Sequence, residues 1–225
     1  MGEQNKYGIG KAAIIIRFQG CNVRCYKDTL GILCDSPEGL EFGGGNKYNM
    51  PALEQEIKNL AATGIDTILI TGGEPMLFQS TVESICEKFS NFNLIIETNG
   101  TIDITRAMVN LPYVNFIIDY KLKSTGVKLN AFAKFKSIIK HDDYIKLVIY
   151  DEEDYLQMKN LVLSNYFPTG KIVAGAFWGS PSMDANKLFE LLKKDALLGK
   201  VELNIQLHKL LYSADYSKND FKIEI

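Results

Sequence analysis

Cys21, Cys25 and Cys34 lie in one stretch, RFQGCNVRCYKDTLGILCDSP (17–37), separated by three and then eight residues. Thiolates are soft ligands, so such a group in a reducing compartment points to zinc, Cu(I) or iron–sulfur chemistry rather than to a disulfide framework. A structural zinc site takes four protein ligands, usually as short-spaced pairs. There is no second pair here: His141 and His208 stand far along the chain, and Cys86 sits in VESICEKF, a helical pattern that suits a buried, inert thiol. Three thiolates can hold three irons of a [4Fe–4S] cube and leave the fourth iron open to a cofactor or substrate. The competing reading is a zinc-stabilised or simply reduced loop on a non-catalytic scaffold.

A loop needs elements to hold it. Seven apolar runs read as buried strands: AAIIIRF, DTILITG, NLIIETNG, NFIIDYK, YIKLVIY, KIVAGAF and VELNIQLHK. Helical patterns separate most of them. PALEQEIKNLAATG starts with Pro51 and stops at Gly64, and MLFQSTVESICEKF, EEDYLQMKNLVLSN and DANKLFELLKKDALLG repeat apolar residues three and four apart. The alternation predicts an α/β fold, a parallel sheet covered by helices on its outer side, as an open or partial barrel. Residues 19–50 are the long irregular segment, and a loop of that length in a compact domain is usually functional. Ligands of parallel α/β folds collect at the carboxyl ends of the strands. QGCN, TGGEP, ETNG, DYK and QLHK all follow apolar runs and so converge on one rim.

The 225 residues, 46% apolar, fit one domain spanning 1–225, and a net charge of −2 gives no electrostatic case for nucleic acid as a partner. MGEQNKYGIGK lacks the apolar core of a signal peptide, and Lys6 stands where a myristoylation signal needs Ser or Thr. No apolar run approaches the ~20 residues that span a bilayer, so the expected location is cytoplasmic without membrane attachment.

The three-cysteine loop, with Leu33 before the third cysteine, resembles that of the radical S-adenosylmethionine (SAM) superfamily, although the usual second spacing is two residues and eight stand here. TGGEP (71–75) is similar to its glycine-rich motif. RFQGCN, CDS, TGGEP, ETNGT, DYK and QLHK, in this order over roughly residues 3–212, resemble the 7-carboxy-7-deazaguanine synthase family. The resemblance implies a truncated (β/α) partial barrel of the radical SAM type, commonly a homodimer. It implies a carbon–nitrogen lyase of queuosine and other 7-deazapurine biosynthesis, which converts 6-carboxy-5,6,7,8-tetrahydropterin to 7-carboxy-7-deazaguanine and releases ammonia. A [4Fe–4S] cluster, SAM and Mg²⁺ are the implied cofactors, and a flavodoxin or ferredoxin the implied electron donor. An activase of a glycyl-radical enzyme or a peptide-modifying radical enzyme is the alternative within the same chemistry.

Residue by residue, the resemblance implies that Cys21, Cys25 and Cys34 ligate the cluster and that Ser36, in CDS, ligates Mg²⁺. Glu3, Arg17, Thr71 and His208 match substrate-side positions. Gly72, Gly73, Glu74 and Asn99 match the SAM side, Asp119, Tyr120 and Lys121 stand where relatives carry a SAM-binding SPK, and Phe177, with Trp178, is a candidate to flank the adenine. His141, in KHDDY, reads as solvated surface. The chain continues past QLHKLLYSAD, where relatives often finish, into a C-terminal extension, 213–225.

Overall fold

The computed structural model describes residues 4–128, 132–167, 169–211 and 223–224; the side chains of Ala107, Lys134, Phe135, His208, Leu211, Ile223 and Glu224 lie outside that description. The strands are β1 (Ile14–Phe18), β2 (Thr67–Gly72), β3 (Asn93–Thr98), β4 (Val114–Asp119), β5 (Tyr144–Ile149), β6 (Lys171–Ala176), β7 (Val201–Asn204) and β8 (Ile223–Glu224). The helices are α1 (Lys27–Leu30), α2 (Met50–Ala61), α3 (Gln79–Lys88), α4 (Arg106–Val109), α5 (Phe132–Phe135), α6 (Glu152–Leu163), α7 (Ala185–Lys194) and α8 (Leu207–Leu211). All described pairings are parallel and run β7-β6-β5-β4-β3-β2-β1-β8, so consecutive strands from β1 to β7 are neighbours. Among the described residues β7 does not pair with β1, so the barrel is open. The seven apolar runs correspond to β1–β7. The eighth strand belongs to the C-terminal extension, most of which lies outside the described residues.

Helix starts follow from short polar side chains. Asn49 Oδ1 accepts from Ala52 N at 3.0 Å, Asp151 Oδ1 from Asp154 N at 2.9 Å and Asp184 Oδ1 from Lys187 N at 2.7 Å. Two helices are shorter than the periodicity predicts. MLFQSTVESICEKF opens with a 3₁₀ turn, Pro75–Phe78, before α3. DANKLFELLKKDALLG stops at Lys194 because Ala196 adopts φ 55° and Leu197 N turns back onto Leu192 O at 2.8 Å, which puts the Leu197 side chain, 1% exposed, into the core.

Side chains alternate across each strand. Ile14, Ile16, Phe18, Ile68, Ile70, Leu94, Ile96, Phe116, Ile118, Ile145 and Leu147 face the helices and form the main core. On the concave side the floor is Leu69, Ile95, Ile117, Tyr144 and Val173, and Tyr7 of the N-terminal segment plugs it. That segment is tied to the far edge of the sheet, where Gln4 N donates to Asn204 Oδ1 at 2.9 Å and Gln4 Nε2 to Glu202 Oε2 at 3.0 Å. An open barrel needs such a plug, since its lower end otherwise exposes an apolar floor.

Candidate functional site

Above that floor, one step toward the carboxyl ends, the concave face turns polar. Arg17 registers with Thr71 across β1 and β2, Asp119 with Lys146 across β4 and β5, and Glu97 lies on β3 between them. Thr71 Oγ1 donates to Glu97 Oε2 at 3.2 Å and Lys146 Nζ to Glu97 Oε1 at 2.7 Å. Lys121 Nζ donates to Asp119 Oδ2 at 2.6 Å. Arg17 meets Glu38 Oε1 at 3.6 Å, and Lys209 meets Asp35 Oδ2 at 3.5 Å, with Gln206 Nε2 donating to the same oxygen at 3.4 Å. Four cations thus each face a carboxylate, two tightly and two, Arg17 and Lys209, at the long end of an ion pair.

The fields of these pairs set the ionisation. Burial opposes the Glu97 charge, but the Lys146 ammonium outweighs it and holds the carboxyl below its ordinary value. Burial likewise opposes the Lys121 charge, and Asp119 with the Cys25 thiol outweighs it, so the ammonium is held well above its usual range. Asp35 is pulled down despite burial by Lys209, Lys146 and Lys121. Burial pushes the Cys25 thiol up, and it pushes Cys34 up to about 12.

The cysteine loop sits on the rim beside this layer. Cys21 and Cys25 are buried and Cys34 half-buried, all three unoxidised, in one patch with Val23, Tyr26, Leu40 and Phe177. The loop is pinned at both ends. Cys21 N donates to Leu40 O at 3.1 Å, and Arg24 Nη1 donates to Cys21 O at 2.8 Å. The longer spacer after Cys25 forms α1 and docks on the 3₁₀ turn Lys123–Thr125, with Tyr26 N donating to Thr125 O at 2.9 Å and Thr29 Oγ1 to Ser124 O. That turn is bracketed by buried Asp154, which accepts from Ser124 N at 3.0 Å and from Ser124 Oγ. The extra residues are therefore a folded strut between the cysteines and the end of β4.

Gly72 and Gly73 close a knot of backbone. A Cβ on Gly72, at φ +139°, would fall 2.1 Å from Phe18 O, and one on Gly73 2.2 Å from both Gly20 O and Gly39 O. Glu74 has another part than the cofactor contact expected of it. Its side chain is fully buried; Oε1 accepts from Met76 N at 2.8 Å and Thr98 Oγ1 at 2.7 Å, and Oε2 from Asn99 N at 2.6 Å. The carboxylate is engaged by its own chain and locks the end of β2 to the end of β3. Asn99 Nδ2 reaches Asn22 Oδ1 at 3.0 Å and Cys21 Sγ at 3.7 Å.

Tyr120 is a correction. Asp119 and Lys121 turn inward, but the ring between them packs outward against Phe132, Tyr166 and Phe167, with centroids 5.7, 5.8 and 5.2 Å away, as alternation along an extended segment requires. Phe177 packs on Tyr26 at 4.8 Å and Tyr150 at 5.5 Å, beside Cys25, whereas Trp178 is 45% exposed, outside both the core and this aromatic group. Ser36 caps the 3₁₀ turn Pro37–Gly39 through its backbone position only, its hydroxyl making no capping bond. His141 is surface, 88% exposed, and Cys86 is fully buried. Glu3 and the side chain of His208 lie outside the described residues. Glu97, Lys146, Asp35, Glu38 and Lys209 were not singled out from sequence. The available signal was an ionisable residue inside an apolar strand, as in YIKLVIY and NLIIETNG.

The donor set fits an iron–sulfur cube. Cys21, Cys25 and Cys34 share one patch and are the three thiols such a cube takes, one per iron; among the described residues no three His, Cys, Asp or Glu side chains gather closely enough to hold a single metal ion. No described helix is long and apolar enough to cross a membrane.

The comparisons agree with this geometry. The chain is 27% identical over 208 residues to 7-carboxy-7-deazaguanine synthase of Clostridium acetobutylicum, covering 91% of this chain and 89% of the relative. Its fold matches the crystal structure of QueE from Escherichia coli with a TM-score of 0.63 at 19% identity, over 92% of this chain and 90% of that one. It also matches Streptococcus suis SuiB bound to S-adenosylmethionine, with a TM-score of 0.59 at 12% identity, over 94% of this chain and 51% of SuiB, so the chain spans about half of SuiB's length. The α/β partial barrel is the fold of these neighbours. The sequence pattern of the 4Fe-4S single cluster domain matches residues 7–137, more than half of the chain, and the protein belongs to that family.

Proposed function

We propose that this chain is a radical SAM enzyme that performs the reaction named for its curated relatives, forming 7-carboxy-7-deazaguanine from 6-carboxy-5,6,7,8-tetrahydropterin with loss of ammonia. The observation that carries the reading is the seating of three free thiols in one patch on the rim, beside a layer of paired charges at the carboxyl ends of the strands. Cys21, Cys25 and Cys34 would hold the [4Fe–4S] cluster, which when bound supplies one electron to the sulfonium of SAM. The Gly72–Gly73 backbone, Asp119, Lys121 and Phe177 line the part of the rim nearest the cysteines and are assigned to SAM.

Arg17 and Thr71 are assigned to the substrate. The Arg17 guanidinium holds Glu38 only at 3.6 Å, so a substrate carboxylate can displace that contact and bind in a bidentate manner. His208 and Glu3 remain substrate-side candidates by position in sequence. The uncapped Ser36 hydroxyl, next to the Asp35 carboxylate, is assigned to Mg²⁺, which favours hard oxygen ligands. Closure of the apolar floor by Tyr7 keeps water from entering from below. A homodimer in the cytoplasm, reduced by flavodoxin or ferredoxin, completes the proposal. The test is an anaerobic assay of the reconstituted protein with SAM, Mg²⁺, dithionite and carboxytetrahydropterin. A deazaguanine product and ammonia support the reading; SAM cleavage without that product moves the chain to another substrate.

A further inference from the structure

The proposed function leaves one feature of the TGGEP and ETNGT motifs unused: they aim a single amide at one cysteine sulfur. Glu74 Oε2 fixes Asn99 N at 2.6 Å. Thr101 fixes the other side of the same residue, because Thr101 N and Thr101 Oγ1 both donate to Asn99 Oδ1, at 3.0 and 2.6 Å. With its oxygen engaged by two donors, the carboxamide has one orientation, and Nδ2 must point the opposite way. It points at Asn22 Oδ1, 3.0 Å, and at Cys21 Sγ, 3.7 Å. The second donation is within N–H···S range, and both residues are buried, at 8% and 7% exposure, so water does not compete for the sulfur. Asn22 is fixed in turn, since its Nδ2 donates to Thr101 Oγ1 at 2.9 Å. The loop Asn99–Thr101 and the dipeptide Cys21–Asn22 are thus zipped together by three side-chain hydrogen bonds.

We infer that Asn99 tunes the iron–sulfur cluster through an N–H···S hydrogen bond to the Cys21 ligand, with Glu74 and Thr101 as the positioning residues that aim it. This rests on the reading of Cys21 as a cluster ligand and deepens it. A donor to a ligating thiolate draws electron density from the sulfur and stabilises the reduced cluster, which raises its reduction potential.

The experiment is a redox titration of the reconstituted holoenzyme, followed by electron paramagnetic resonance, for wild type, Asn99→Ala, Asn99→Asp and Thr101→Val, with iron content and SAM dissociation constant measured on the same samples. The expected result is full iron content throughout and a potential that becomes more negative in Asn99→Ala and further in Asn99→Asp, where a carboxylate replaces the donor. Thr101→Val, which removes one of the two anchors of Asn99 Oδ1, shifts the potential in the same direction by less. An unchanged potential in Asn99→Asp overturns the inference, as does weakened SAM binding at unchanged potential, which would make Asn99 a SAM ligand. If Asn99→Asp does not hold iron, Asn99→Ala and Thr101→Val carry the test. Wild-type protein that holds no iron defeats the proposed function instead and is distinguished by that measurement alone.

Discussion

Replacing Lys146 by methionine removes one half of one of the two tight pairs in the concave layer and leaves the Glu97 carboxylate with the Thr71 hydroxyl at 3.2 Å as its remaining described hydrogen-bond partner. Breaking a fully buried pair from one side costs about 3–5 kcal/mol. The Lys146 and Glu97 side chains are 10% and 24% exposed. Some water therefore reaches the carboxylate, and the expected loss is about 2–3 kcal/mol. For a chain of this size that lowers Tm by roughly 4–12 °C. The loss depends on pH in a defined sense. In wild type Lys146 depresses the folded-state pKa of Glu97, so the pair's contribution is complete above the unfolded carboxyl value near 4.5 and is lost as pH falls through the lower folded value. In Lys146→Met burial is left to dominate and raises that pKa, so the variant loses stability as pH rises. The gap between wild type and variant is therefore wider at about pH 8 than at about pH 5. Urea denaturation of the purified chain at both pH values measures it, and the double variant Glu97→Gln/Lys146→Met should recover part of the loss. Equal stability of wild type and Lys146→Met, or a gap that narrows with rising pH, refutes the reasoning.

Tyr7→Ala removes the plug from the apolar floor and should destabilise the fold by about 2–3 kcal/mol in urea denaturation, while iron content after reconstitution stays unchanged. Arg17→Lys loses the planar fork and should raise KM for a carboxylate substrate by about tenfold with kcat little altered, read from steady-state anaerobic kinetics. Cys86→Ser should keep the full iron content, because that thiol is fully buried on the core face of α3 and apart from the rim patch.

The strands were legible because parallel strands buried on both faces are written as continuous apolar runs, as in β2, β4 and β5, whereas the edge strand β7, VELN, alternates and leaves Glu202 exposed. The rim was legible because five polar motifs each follow such a run. The floor plug was not, since Tyr7 lies in a polar segment whose register against Tyr144 and Val173 depends on the closed tertiary structure. Tyr120 misled for a related reason: within DYK the motif suggests three neighbours on one site, but alternation sends the middle ring to the outer core. Glu74 and Asn99 looked like cofactor contacts by motif, and their hydrogen bonds reveal a lock between two strand ends that no one-dimensional spacing encodes. The spacer between Cys25 and Cys34 had no periodicity long enough to read, being a single helical turn whose stability comes from docking on Lys123–Thr125.

Purification without oxygen, iron and sulfide analysis, and a SAM-cleavage assay with dithionite together test the central claim that the rim cysteines hold a catalytic iron–sulfur cube. The expected result is about four irons and four sulfides per chain and formation of methionine and 5′-deoxyadenosine, both lost when Cys21, Cys25 or Cys34 is replaced by serine. A colourless protein that carries tight zinc, or an iron-loaded one that leaves SAM intact, contradicts it.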